Sequence, residues 1–92
     1  MKLSFHPEAT EAVLNHYGDA WCVAYVGSQP TDIDLITRND VGDVIYDANL
    51  SDENKVVSCV EQFLRDAGYE VCRNVGAVVQ PWEIASWSLT AA

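Results

Sequence analysis

The sequence predicts a small α+β domain in which an antiparallel sheet is covered on one face by two helices, in the order β-α-β-β-β-α-β-β. Three observations predict it. Residues 20–26 form the longest apolar block, which is strand-sized and rich in aromatic and β-branched side chains. Residues 32–48 alternate apolar and polar positions on both sides of a turn. Val56, Val57, Val60, Phe63, Leu64 and Ala67 recur at the spacing of one helix face. With 92 residues, all of this belongs to a single domain spanning residues 1–92.

Taken in order, Leu3 and Phe5 alternate with Lys2 and Ser4, which suggests a short first strand over residues 1–5. Pro7 suits the first position of a helix, where its missing N–H costs nothing, and His6 leads into it. Ala9, Val13 and Tyr17, with Ala12 and Leu14 beside them, then recur at helical spacing until Gly18, so the first helix is expected over this segment. Residues 21–26 follow as a buried strand ending at the turn-forming run Gly27-Ser28-Gln29-Pro30.

Residues 32–48 read as a hairpin whose loop is residues 39–42, with Gly42 supplying the positive φ. In that register Ile36 pairs with Ile45 and Asp34 with Asp47 on the water-facing side, while Ile33, Leu35, Thr37, Val44, Tyr46 and Ala48 face the core. A type I turn with a bulge at Gly42 would mix the two faces and is not preferred. Ser51 caps the second helix, Asp52 and Glu53 sit in its first turn where the dipole favours negative charge, and Gly68 ends it with Tyr69 packing back on Leu64. A strand is expected over residues 71–79, bent at Gly76. Beyond Pro81 a helix or a strand fits residues 81–92, and a final edge strand is preferred because Trp82 and Ile84 suit one.

The charge pattern carries the functional reading. The chain holds fourteen carboxylates against five Lys and Arg, a net charge of −9. Seven carboxylates lie between Asp32 and Glu53 with Arg38 as the only basic residue, so that stretch alone supplies six of the nine net negative charges. In the preferred register Asp34 and Asp47 stand opposite each other, a like-charge pair that folding alone would not select, with Asp32 and Asp43 extending the stripe and Asp40, Asp52 and Glu53 at its ends. Such a surface is suited to meeting Lys and Arg on a partner. The competing explanation is that the acidity serves only to keep a small protein dispersed in water.

Other chemistries find little support. Asp47, Asn49 and Ser51 occupy the first, third and fifth positions of a calcium loop, but Asp52 stands where a glycine is needed and Ser58 where a bidentate Glu is needed. His6, His16, Cys22, Cys59 and Cys72 lack the short spacings that let one turn present two zinc ligands, so no metal or other cofactor is expected. Three cysteines without a C-x-x-C pair read as reduced, buried packing residues, and a Cys22–His16 nucleophile pair would require the fold to bring the two together. Five scattered basic residues exclude the counterion-release affinity that nucleic-acid binding relies on. No apolar run has the length of a membrane span or of a signal peptide, so a cytoplasmic location is expected.

These readings converge on a non-enzymatic acidic protein-binding module, with Asp32, Asp34, Asp40, Asp43, Asp47, Asp52 and Glu53 as its contact residues. Its expected partner is a protein with a basic surface, such as a nucleic-acid-binding complex whose site it covers by placing carboxylates where phosphates would lie. Small acidic inhibitors of bacterial defence complexes, carried by phages and plasmids, work in this way, and the likeness is one of charge and size only. The alternative is a structural or assembly protein that self-associates, for example as a homodimer, through its aromatic C-terminal segment with Trp82 and Trp87.

Overall fold

The segment after Pro7 is a strand instead of a helix, and that difference sets the architecture. In a computed structural model describing residues 3–18, 20–27, 33–36, 53–75 and 80–91, five strands and one helix are present. They run β1 (Glu11–Tyr17), β2 (Ala20–Val26), β3 (Ile33–Ile36), α1 (Glu53–Ala67), β4 (Tyr69–Arg73) and β5 (Glu83–Ala91). The strands make a single sheet in the order β3-β2-β1-β5-β4, and each neighbouring pair is antiparallel. The α+β class and the antiparallel sheet agree with the sequence reading, whereas the described residues contain one helix where two were expected.

The first predicted helix fails for an identifiable reason. β1 is the middle strand of five, and apolar residues stand on both its faces: Ala12 and Leu14 are buried on the inner one, while half-buried Val13 and exposed Tyr17 stand on the outer one with Asn15. A strand flanked in this way loses the clean alternation that marks a half-exposed one, and its apolar residues can be sorted into a helical stripe as well as into two faces. Pro7 serves a β-turn in place of a helix start, because the Ala9 N–H donates to the His6 carbonyl at 3.0 Å. Residues 3–5, the described part of the expected first strand, carry no regular structure. β1 and β2 form a hairpin that was not expected, where Tyr17 pairs with Ala20 and Gly18, at φ 57°, begins the two-residue connection.

α1 matches its prediction closely. Val56, Val57, Val60, Leu64 and Ala67 are buried on one face, with Phe63 packed at the margin of the core. At its end Gly68, at φ 116°, donates its N–H to the Arg65 carbonyl at 3.1 Å. Tyr69 then leaves the helix for the sheet, its ring 5.0 Å from that of Phe5.

The inner face of the sheet, beneath α1 and the segment 3–9, presents Trp21, Val23 and Tyr25 from β2, Ala12 and Leu14 from β1, and Trp87 and Leu89 from β5. Leu3 and Ala9 from the N-terminal segment close the same core. A bulge in the β1–β5 pairing between Leu14 and Asn15 lets Ile84 and Ala85 both pack against that core while Glu83 pairs with Asn15 on the opposite face. The C-terminal segment is a strand, as preferred, but β5 lies between β1 and β4 and is not an edge.

Two further expectations are corrected. Among the described part of the predicted hairpin, Ile33 and Leu35 are 60% and 67% exposed on the outer face, and Ile36 is buried on the inner one. The predicted faces are therefore reversed. Ile33-Asp34-Leu35-Ile36 has three apolar residues in four, so its pattern fits either orientation, and the inward choice is possible because donors are waiting for Asp34. The cysteines are free, as expected, yet they are not uniformly buried: Cys22 is buried, Cys59 half-buried and Cys72 exposed. Residues 37–48, with the predicted turn and returning arm, lie outside the described residues, as do Ser51 and residues 76–79.

Candidate partner-binding surface

Of the seven predicted contact carboxylates, Asp34 is the one whose side chain falls within the described residues, and it does not face water freely. It stands on β3 opposite Val23, on the helix side of the sheet. Its Oδ2 accepts from the Tyr25 hydroxyl at 2.7 Å and from the Ser4 N–H at 2.9 Å, and its Oδ1 accepts from the Ser4 hydroxyl at 3.0 Å. Ser4 is held in turn by Tyr69, whose hydroxyl donates to the Ser4 carbonyl at 3.1 Å and accepts from the His6 N–H at 2.6 Å. Asp34 therefore fastens the N-terminal segment to the sheet. Asp32, Asp40, Asp43, Asp47 and Asp52 lie outside the described residues, and Glu53 opens α1 with its side chain likewise outside them.

This network moves the two tyrosines in the same direction. Burial raises the Tyr25 hydroxyl well above the usual phenol range, reinforced by its hydrogen bond to Asp34. Burial also raises Tyr69, partly offset by the His6 N–H that would stabilise a phenolate. Sequence reasoning missed Ser4 and Tyr25 as partners for Asp34, and no local signal could have found them, since Ser4 is thirty residues away from Asp34 in the chain.

A second polar cluster organises the helix side. Glu61 Oε1 accepts from the Trp87 indole at 3.0 Å and lies 3.9 Å from Arg73 Nε, while Glu61 Oε2 is 3.8 Å from Arg65. Both described arginines thus turn toward one helix carboxylate. On the outer face of the sheet, Glu11, Glu70 and Glu83 are the ionic side chains, and no Lys or Arg stands there among the described residues.

That outer face has two halves. Across β4 and β5 it is polar, with Asn74 donating to Ser86 Oγ at 3.2 Å and accepting from Ser88 Oγ at 2.7 Å. Across β3, β2 and β1 it is mixed: Ile33 and Leu35 pair with Ala24 and Cys22, Val26 is 48% exposed, Tyr17 is 50% exposed with its ring 5.9 Å from Trp82, Glu11 stands beside Val26, and Cys22 and Asn15 between them are buried.

The remaining chemistry is dispersed. His16 stacks on Trp21 at 4.0 Å on the inner side, whereas Cys22 lies on the outer side, so the two do not form a thiol–imidazole pair. Burial pushes the Cys22 thiol up, opposed by a hydrogen bond with the Asn15 side chain. Among the described residues no three His, Cys, Asp or Glu side chains gather as metal ligands, and no helix is long and apolar enough to cross a membrane. Of the two tryptophans of the aromatic C-terminal segment, Trp87 is buried in the core and Trp82 keeps 40% of its surface exposed. No protein-family model matches the chain, and comparison with curated proteins and with solved structures returned no match.

Proposed function

We propose that this chain is a non-enzymatic protein-binding module that engages a basic surface on another protein, of the kind that contacts nucleic acid. The single observation that supports this best is where the described arginines go. Arg65 and Arg73 both face Glu61 on the helix side, which leaves the outer face of the sheet with carboxylates and no cation among the described residues. In a chain of net charge −9, the carboxylates of that face are without a compensating cation among the described residues. Complementary potential of this kind speeds encounter with a basic partner and rejects acidic ones, nucleic acid included. Asp32, Asp43 and Asp47 belong to the proposed acidic surface. Asp34 does not, because its oxygens are already engaged.

Affinity capture from a cell extract, run at low and at high salt, tests the proposal. An eluate dominated by one basic, nucleic-acid-binding protein, lost when salt is added, supports it. Capture that is indifferent to salt, or that yields acidic proteins, removes it.

A further inference from the structure

β4 is an edge of the sheet, and among the described residues β5 is its one neighbouring strand. Asn74 donates its N–H to the Ser86 carbonyl at 3.0 Å, and the β4–β5 register carries this pattern back, so Cys72 and Glu70 also turn their backbone groups toward β5. Tyr69, Val71 and Arg73 turn theirs the other way. Those of Val71 and Arg73 meet no backbone partner among the described residues, in a strand that has no proline, no lysine and no bulge. An edge left open in this way is a template for a further strand. Two exposed apolar side chains lie beside it. Val75, one residue past Asn74, is 95% exposed, and Phe5, whose ring is 5.0 Å from that of Tyr69, is 43% exposed.

We propose that this edge is filled by β4 of a second copy of the chain, paired antiparallel about a two-fold axis at Cys72, so that the two sheets join into one. The inference goes beyond the functional reading above and does not depend on it. In this register Val71 of each copy exchanges backbone bonds with Arg73 of the other, which uses the groups that point outward. Side chains then match on both faces. Val75 comes opposite Tyr69 of the other copy, beside Phe5, so the apolar side chains exposed at each end gain an apolar counterpart. Glu70 comes opposite Asn74, and the two copies of Cys72 face each other, so no like charges are opposed. A two-fold at Val71 would instead set Val75 against Ala67, which belongs to α1. Charge also permits this occupant. Each copy carries −9, but six of those nine charges lie in residues 32–53, and within β4 Glu70 and Arg73 cancel. A basic strand would be opposed here by Arg73.

Sedimentation over a concentration series, with amide hydrogen exchange of the same samples, tests the pairing. The intact chain should pass from monomer to dimer as concentration rises, and the Val71 and Arg73 amides should become protected in step. Added salt should tighten the dimer by screening the two net charges, the opposite of its effect on capture of a basic partner, so the two proposals fail separately. Arg73→Pro removes an edge N–H that the monomer does not use and should raise the dissociation constant about ten-fold or more. Val75→Ser, at a position open to water in the monomer, should raise it about three-fold or more. Facing residues of a non-hydrogen-bonded pair have Cα atoms about 4.5 Å apart, within disulfide reach. Oxidised glutathione, itself reduced to two thiols as it takes two electrons from the pair, should therefore link Cys72 to Cys72, as read by mass spectrometry. A chain that stays monomeric with Val71 and Arg73 exchanging freely would overturn the proposal. So would a dimer that neither variant weakens and that forms no Cys72 link, or protection of the two amides that appears only when a lysine-rich peptide is added.

Discussion

Tyr25 donates its hydroxyl proton to Asp34 across 2.7 Å, from the strand next to the one that carries the carboxylate. With the two donors from Ser4, this bond converts a residue that looks like one of a row of surface charges into a bracket holding residues 3–9 against the sheet. Replacing Tyr25 by Phe leaves Asp34 with Ser4 alone. The expected cost is about 1–2 kcal/mol, the range for one hydrogen bond to a charged group in a partly buried setting. Urea unfolding of the variant and the parent measures it, and an unchanged midpoint would show that the bond contributes nothing.

Alkali should act on the same network. Folding raises the pKa of Tyr25 and Tyr69, through burial first and, for Tyr25, the hydrogen bond to Asp34 second. A group whose pKa is raised on folding contributes stability that is fully present below its unfolded pKa and is lost as pH rises toward its folded one. Unfolded tyrosine ionises near pH 10, so stability should fall progressively above about that pH. Denaturant midpoints collected across the alkaline range give the slope, and Tyr25→Phe should reduce it.

Trp87 reaches Glu61 with its indole N–H at 3.0 Å from the fully buried interior of β5. Changing Trp87 to Phe removes the donor and leaves a space beside α1. A loss of about 2–4 kcal/mol is expected, the sum of a broken charge-assisted bond and a partly collapsed cavity. Glu61→Gln keeps an acceptor for the indole and should cost less, about 1 kcal/mol. Thermal unfolding of both variants decides the order.

The thiols report on which side chains are accessible. Cys72 is exposed on β4, and Cys22 is buried with its thiol pushed up by desolvation. A thiol reagent applied to the folded chain should label Cys72 rapidly and Cys22 only on unfolding, as read by mass spectrometry of the digested protein. Rapid labelling of Cys22 in the folded state would mean that the outer face near Asn15 opens readily.

Legibility in the sequence followed how evenly a segment is covered. α1 was readable to its last turn because one face is buried and the other faces water, so Val56, Val60 and Leu64 repeat against a polar background. β2 was readable because Trp21, Val23 and Tyr25 are bulky and branched or aromatic. β1 was not, because apolar residues stand on both its faces, Ala12 and Leu14 inside and Val13 and Tyr17 outside, so no clean alternation sets the period. Its turn was still visible in hindsight, as Gly18-Asp19 between two apolar runs is a hairpin signal that outranks the helical stripe before it. Charge content was legible from composition, whereas the side Asp34 faces was not, since it depends on Ser4 and Tyr25 arriving from elsewhere in the chain.

The most direct test of an acidic binding surface is calorimetric titration of the captured basic partner at several salt concentrations. Exposed charges are screened within about 8 Å at physiological salt, so affinity should fall as salt rises. An affinity that holds constant across the salt series would contradict the central role of the carboxylates.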